Sequence, residues 1–447
     1  VVIIKKHNIQ LLILSILSVL TLSIGHAYNN QMILLGTLLL FSGLILCSHK
    51  KYFLPIMLFY LPWSPILKSN PGSFTFFTLI VPCVFLLILF RGLKKQIKYK
   101  VELIILPFFF IAYTLLVKLL NGLPLDMSYC FFIMMMLFVP VYASEYKEEI
   151  EFETCVLYLT TGVLTACVAS NILMNIPHML VYIDVYQWEK IGLTRLSGFY
   201  GDANFYSVHI LVAISSLLII LSKTRKKTLI VIQILAIMAL LYYGMLSVSK
   251  MFILCIACMG LLWLYSLVIV KRDFLYKLGI LFTILFVSGI AIGSNLFSEQ
   301  IHQYLIRFGM VTDTQSLTTG RRSLYDMYIN YLLTNFDNLY FGNGLSNQFL
   351  NAKSSHNTLI QIIYQVGLFG SVLLIVWWGR IYALLSNNIK LGNMGKYYFL
   401  IIIIAYFMPW IALEMFRFDE FFYITLLAIV AKNYLSANQR IVKIVEN

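Results

Sequence analysis

The sequence predicts an all-α, polytopic membrane protein, and three observations carry that prediction. Of 447 residues, 60% are hydrophobic and only 12% are charged, roughly half the charged share of a soluble globular domain. The mean hydropathy is +0.86. Apolar runs long enough to cross a hydrocarbon core of roughly 30 Å recur from one end to the other. They are continuous, whereas the strands of a membrane barrel alternate apolar and polar residues.

Taken in order, about fourteen spans are expected, near residues 9–24, 31–48, 52–67, 73–90, 101–120, 127–143, 154–174, 205–222, 228–247, 251–270, 278–293, 358–379, 397–413 and 421–435. Pro55, Pro62 and Pro65 interrupt the third, so the expected count runs from 12 to 14. Lys5 and Lys6 before the first run suggest a signal peptide, but no small-residue cleavage site follows, and the run is taken as the first span. With the N-terminus inside, 23 of the 33 lysines and arginines fall in inner segments, which orients both ends toward the cytoplasm. The acidic inner turn at Glu145–Glu153 does not oppose this, because carboxylates contribute little to orientation.

The chain reads as one integral membrane domain, residues 1–447, with one long hydrophilic interval, 294–357, expected on the outer face. The net charge of +14 does not imply nucleic-acid binding, because the cations sit in short turns between spans. Seven cysteines lie in or beside apolar runs; Cys255 and Cys258 form a C-x-x-C inside one such run, where small packing residues are the expected role. No metal-ligand spacing and no phosphate-binding glycine loop occurs in the outer segments.

Two outer segments carry candidate chemistry. The first runs from Thr194 to Asn204 and ends at a helix start. Arg195 offers a planar fork of donors suited to phosphate, or an interfacial anchor. Asp202 and Asn204 are candidate positioning residues that also suit helix N-caps. In the long interval, residues 321–335 show helical periodicity, with Arg321 and Arg322 at the start. Cations at a helix N-terminus oppose the macrodipole unless an anion docks there. Arg321 is therefore the favoured ligand, while Arg322 is either a second ligand or the i+4 partner of Asp326. His356 and Asn357 precede the next span: Asn357 suits an N-cap, and His356 suits either a structural hydrogen bond or a general base. Lys250 is a further outer cation. Glu414, Arg417, Asp419 and Glu420 form a set expected to satisfy itself by ion pairing. Tyr304, Tyr325, Tyr328, Tyr331, Tyr340 and Phe341 are expected either to pack the loop down or to offer faces to sugar rings.

Three patterns coincide: R-x-S-G-F-x-x-x-x-N from Arg195 to Asn204, T-G-R with a downstream G-x-G, and H-N-T-L-I-Q-I-I-Y-Q-V-G-L-F-G from His356 to Gly370. Together they resemble the O-antigen ligase and O-antigen polymerase (Wzy) superfamily, over residues 195–370 in motifs and the whole chain in span layout. The resemblance implies a GT-C-like, metal-independent glycosyltransferase without a cofactor. It implies undecaprenyl-diphosphate-linked oligosaccharide as donor and acceptor, and a chain-length regulator protein among its partners. Arg195 and Arg321 would hold the diphosphate, and His356 would activate the acceptor hydroxyl. Tyr325 and Asn357 join Asp202 and Asn204 as positioning candidates. Where relatives often read S-R-G, this chain has Ser249-Lys250-Met251, so Lys250 would supply that cation with poorer bidentate geometry. The span count favours a polymerase over a ligase. A flippase for the same lipid-linked sugars is the third expectation; it calls for ionisable groups deep within spans, of which Lys118 is nearly the only one visible.

Overall fold

A computed structural model describes residues 6–70, 73–94, 102–183, 185–188, 193–224, 226–269, 297–312, 318, 320–346, 349–386 and 391–446, with short pieces between 278 and 295. Half of the span expected over 278–293 lies outside the described residues, as do Lys190 and Thr319. The protein is a helical bundle. Among the described residues eight helices are long and apolar enough to cross a membrane, and three shorter apolar helices accompany them.

The first helices are α1 (Lys6–Ala27), α2 (Gln31–Cys47) and the short α3 (Phe53–Tyr60), which continues as a 3-10 helix over Leu61–Ile66. Then follow α4 (Phe76–Lys94), α5 (Glu102–Leu120), α6 (Met127–Tyr146) and α7 (Phe152–Leu173). A two-stranded antiparallel hairpin, β1 (Val185–Trp188) and β2 (Leu193–Leu196), leads into α8 (Ala203–Leu221), α9 (Lys227–Leu246) and α10 (Lys250–Ile269). The long hydrophilic interval holds three short helices, α11 (Ser298–Gly309), α12 (Arg321–Thr334) and α13 (Phe336–Phe341). The chain ends with α14 (Thr358–Leu385), α15 (Asn393–Phe407) and α16 (Asp419–Glu446).

The core is built around α8, all of whose residues are buried, as expected of a helix apolar on every face. Two of its serines bond within the helix: Ser207 and Ser215 donate back to the carbonyls of Asn204 and Val212 at 2.7 and 2.9 Å. The proline-interrupted stretch 53–66 is also buried, and it packs backbone to backbone on α7. A Cβ at Gly162 would lie 2.1 Å from the Phe59 carbonyl oxygen, so only glycine permits that approach. Trp63 Nε1 seals the same contact by donating to the Gly162 carbonyl at 3.2 Å.

The interval 294–357 is docked rather than free. Gly342 and Gly344 adopt left-handed φ values of 68° and 65°, and Gly367 inside α14 has φ 65°. There α14 kinks, and the freed Gln365 carbonyl accepts from the amides of Asn343 and Leu345 at 3.0 and 2.9 Å. Tyr113 OH caps the junction by donating to the carbonyls of Phe341 and Val366, both at 2.8 Å. The G-x-G of the loop and the glycine of Q-V-G are thus two halves of one joint. Lys118 is the second anchor: only 1% exposed, it donates to Asp126 Oδ2 at 3.2 Å and to the Leu345 carbonyl at 3.4 Å. Its place within a span is explained by this fastening of the loop.

Candidate active site

The site assembles around the tight turn between α9 and α10. Val248 at its apex has φ 44°, a left-handed conformation that is a true outlier for a β-branched residue. Three consecutive carbonyls of the turn are held from outside. Arg195 Nε, on β2, donates to Ser247 O at 3.1 Å. Arg307 Nη1, from the last turn of α11, donates to Val248 O. Tyr304 OH donates to Ser249 O at 3.3 Å. Ser249 Oγ in turn donates to Asn204 Oδ1 at 2.7 Å, tying the turn to the start of α8. Asp202 caps α8 by accepting from the Asn204 amide at 2.6 Å.

The second half comes from the far edge of the long interval. His356 also has a left-handed backbone, φ 49°. The two hydroxyls just before it hold it there: Ser354 Oγ accepts from the His356 amide at 3.3 Å, and Ser355 Oγ accepts from the Asn357 amide at 3.2 Å. Asn357 caps α14 by accepting from the amides of Leu359 and Ile360. Tyr325, on α12, donates its hydroxyl to the Ile411 carbonyl, which Asn357 Nδ2 also reaches at 3.4 Å.

The two halves meet electrostatically. Arg307 is 7% exposed. Burial first, then Arg195, with Arg321 adding to them, pushes its guanidinium down to about 9, while Tyr304 and Asp202 pull the other way. It therefore keeps its charge at neutral pH. His356 is pushed down from its ordinary value by burial and next by the Arg321 charge, with Asp202 opposing. It is accordingly a neutral imidazole at neutral pH, able to accept a proton. Lys250 feels the Arg307 charge and sits 5.8 Å from the centre of the Phe308 ring. Four basic side chains, Arg195, Lys250, Arg307 and Arg321, thus converge with His356, and Asp202 acts on Arg307 and His356. A half-buried gathering of positive charge of this kind is suited to an anion.

Each expected site residue has a definite place. Arg195, Lys250, Arg321, Asp202, Asn204 and His356 come together, with Asn357 and Tyr325 bracing the His356 side. Arg321 is half-buried, and its charge acts on both Arg307 and His356. Arg322 is exposed. Asn204 lies inside the first turn of α8 and positions the Ser249 hydroxyl, whereas Asp202 is the cap.

Two expectations need correction. The acidic set does not satisfy itself: Arg417 pairs with Glu414 at 3.3 Å, but Glu420 pairs with His209 at 3.0 Å and Asp419 accepts from Thr78 at 3.2 Å. Consequently Lys118 is not nearly alone among ionisable groups within spans, since His209 lies inside α8 and is 2% exposed. Of the loop aromatics, Tyr304 and Tyr328 are packed at 6% and 0% exposure, while Tyr340 and Phe341 remain exposed.

Arg307 is the functional candidate that sequence reasoning missed. In α11 the polar residues Gln300, Tyr304 and Arg307 face inward at i, i+4 and i+7, and the apolar Ile301, Leu305 and Phe308 face out. An amphipathic pattern normally buries its apolar stripe; here the order is reversed. Comparison with protein-family models and with curated proteins finds no match for this chain.

Proposed function

We propose that this protein is a glycosyltransferase of about fourteen spans that polymerises undecaprenyl-diphosphate-linked oligosaccharide repeat units on the outer face of the cytoplasmic membrane. The observation that carries the reading is the meeting of four basic side chains from separate segments with one neutral histidine. Outside that membrane no soluble nucleotide sugar is expected, so the driving force must arrive in the substrate as an activated diphosphate linkage. Its cleavage leaves concentrated negative charge on the departing lipid diphosphate. Preorganised guanidinium groups stabilise that charge as it develops, and their planar forks match phosphate oxygens. The acceptor hydroxyl attacks the anomeric carbon, the bond to the diphosphate oxygen breaks, and the hydroxyl proton passes to His356.

In this reading Arg195 and Arg307 have a double role, holding the strained turn through its carbonyls and presenting their remaining donors to the diphosphate. Arg321 reaches it from α12, whose free N-terminal amides add to the attraction. The test is substitution in a strain lacking the chromosomal copy. His356→Ala, Arg321→Ala and Arg195→Ala should each abolish glycan elongation while the protein still accumulates in the membrane; normal-length polymer from all three would sink the assignment. The deletion strain itself separates the classes on a glycan gel. Single repeats on their carrier mark a polymerase, long chains stranded on the lipid mark a ligase, and loss of both marks a flippase.

A further inference from the structure

Beside the cationic cluster lies a cavity of about 420 Å³ of opposite character, within the range of roughly 300–1,000 Å³ usual for ligand pockets. It is walled by the first turns of α4, α6 and α16, and by Tyr200. Its faces are aromatic, Phe131, Phe418 and Phe422 among them, and its polar groups are Thr78, Ser64, Arg417 and the carboxylates of Asp419 and Glu420. The two sites share a wall. The Phe418 ring lies 4.7 Å from Phe205, which stacks at 5.8 Å on Tyr200, and Phe205 follows Asn204 at the head of α8. A polar bridge also joins them: Ser354 Oγ, two residues before His356, donates to Glu414 at 2.8 Å, and Glu414 pairs with the pocket residue Arg417.

The chemistry of the lining selects among ligands. A phosphate is repelled by two adjacent carboxylates. A hydrocarbon tail would leave the Asp419 carboxylate, whose Oδ2 accepts from Thr78 at 3.2 Å, facing apolar atoms with its other oxygen. An organic cation would meet the Arg417 guanidinium. A neutral saccharide fits the lining: its hydroxyls donate to Asp419 and accept from Arg417, and the apolar faces of its rings lie on the aromatic side chains, while Glu420 stays paired with His209. We infer that this cavity is the subsite for the acceptor glycan, separate from the diphosphate cluster and sharing the Tyr200–Phe205–Phe418 wall with it. The inference rests on the glycosyl-transfer reading given above. It divides the labour between an anion-binding half for the activated donor and a saccharide-binding half that delivers the attacking hydroxyl.

The test is calorimetric and needs no turnover. The full-length protein in detergent is titrated with the repeat-unit oligosaccharide released by mild acid from the carrier of a deletion strain, and separately with undecaprenyl diphosphate. The wild type should bind the free oligosaccharide. Asp419→Asn and Phe131→Ala should each weaken that binding about tenfold or more, consistent with loss of a hydrogen bond to a charged group or of an aromatic face. Both variants should bind undecaprenyl diphosphate as the wild type does, which also reports that they are folded. Oligosaccharide binding that is absent in the wild type, or unmoved by both substitutions, overturns the subsite. Loss of undecaprenyl diphosphate binding in both variants overturns it too, and assigns the cavity to the lipid chain. A wild type that binds the oligosaccharide but not undecaprenyl diphosphate refutes the donor reading and leaves the saccharide pocket standing.

Discussion

Arg307→Met separates a functional guanidinium from a structural one. The substitution keeps the length and apolar stem of a side chain that is only 7% exposed, and removes its charge and donors. On the structural side, one charge-assisted hydrogen bond to the Val248 carbonyl is lost, worth about 1.5–3 kcal/mol. Against that, the guanidinium is pushed well down, to about 9, by burial and by neighbouring cations, chiefly Arg195. At 1.36 kcal/mol per pKa unit the charged form is disfavoured by on the order of 5 kcal/mol. Removing it should leave the fold as stable as before, or more so. On the functional side, loss of one preorganised donor to developing negative charge costs roughly 10²–10³-fold in rate. The expected signature is a transfer rate down by about two orders of magnitude with an unchanged or higher melting temperature. Arg307→Lys, which keeps the charge but not the planar fork, should fall between. The assay is polymer formation by purified protein on lipid-linked repeat units, paired with thermal unfolding. A variant that melts several degrees lower yet transfers within threefold of wild type would show that Arg307 only holds the turn.

The other predictions follow from the same geometry. Because burial and Arg321 both push His356 down, the acidic limb of the pH–rate profile should lie below the ordinary histidine value of about 6.5. Activity should be lost as pH falls through that lowered value; Arg321→Met should raise it and Asp202→Asn lower it further, and a titration of His356 indifferent to both would refute the coupling. Gly367→Ala places a Cβ 2.3 Å from the Tyr340 carbonyl oxygen at a left-handed φ. It should cost on the order of 3 kcal/mol or more, read as loss of accumulated protein, and normal accumulation would show that the loop joint is dispensable. Tyr325→Phe removes one hydroxyl bond to Ile411, worth about 1 kcal/mol. It should speed proteolytic cleavage in the 294–357 interval, and an unchanged digestion pattern would deny Tyr325 that anchoring role.

What the sequence made legible follows from how local each signal is. Spans declare themselves by composition over about 20 residues, so the membrane bundle and the helix at 321–334 were readable. Arg321 stood out from Arg322 because Asp326 offered Arg322 an i+4 partner; in the structure Arg321 is half-buried and Arg322 exposed. Caps at Asp202 and Asn357 were readable because a cap binds amides two or three residues on. Arg307 was not, because burial was inferred from apolarity. In α11 the outward stripe of Ile301, Leu305 and Phe308 is the apolar one, an arrangement suited to a helix lying against lipid. The pairing of Glu420 with His209, 211 positions apart, leaves no local trace either. In a soluble protein, sequence polarity tells inside from outside; in a lipid-facing chain it does so only for the groups that need partners.

The two left-handed residues explain why the site draws on so many segments. Val248 and His356 both occupy backbone conformations that cost of order 1–3 kcal/mol each and persist only where surroundings over-determine them. At Val248 the surroundings are Arg195, Arg307 and Tyr304; at His356 they are Ser354, Ser355 and the capped start of α14. Two of the three groups that hold the α9–α10 turn belong to α11, in the long interval. That interval is fastened in turn by Lys118 and by the Gly342–Gly367 joint. Docking of the loop and formation of the strained turn are therefore one event: the loop supplies Arg307 and Tyr304, and both hold the turn. An anion bound between Arg307 and Arg321 would offset the repulsion each feels from the other, so the site should be tightest when its charge is matched and loosen when the anion leaves.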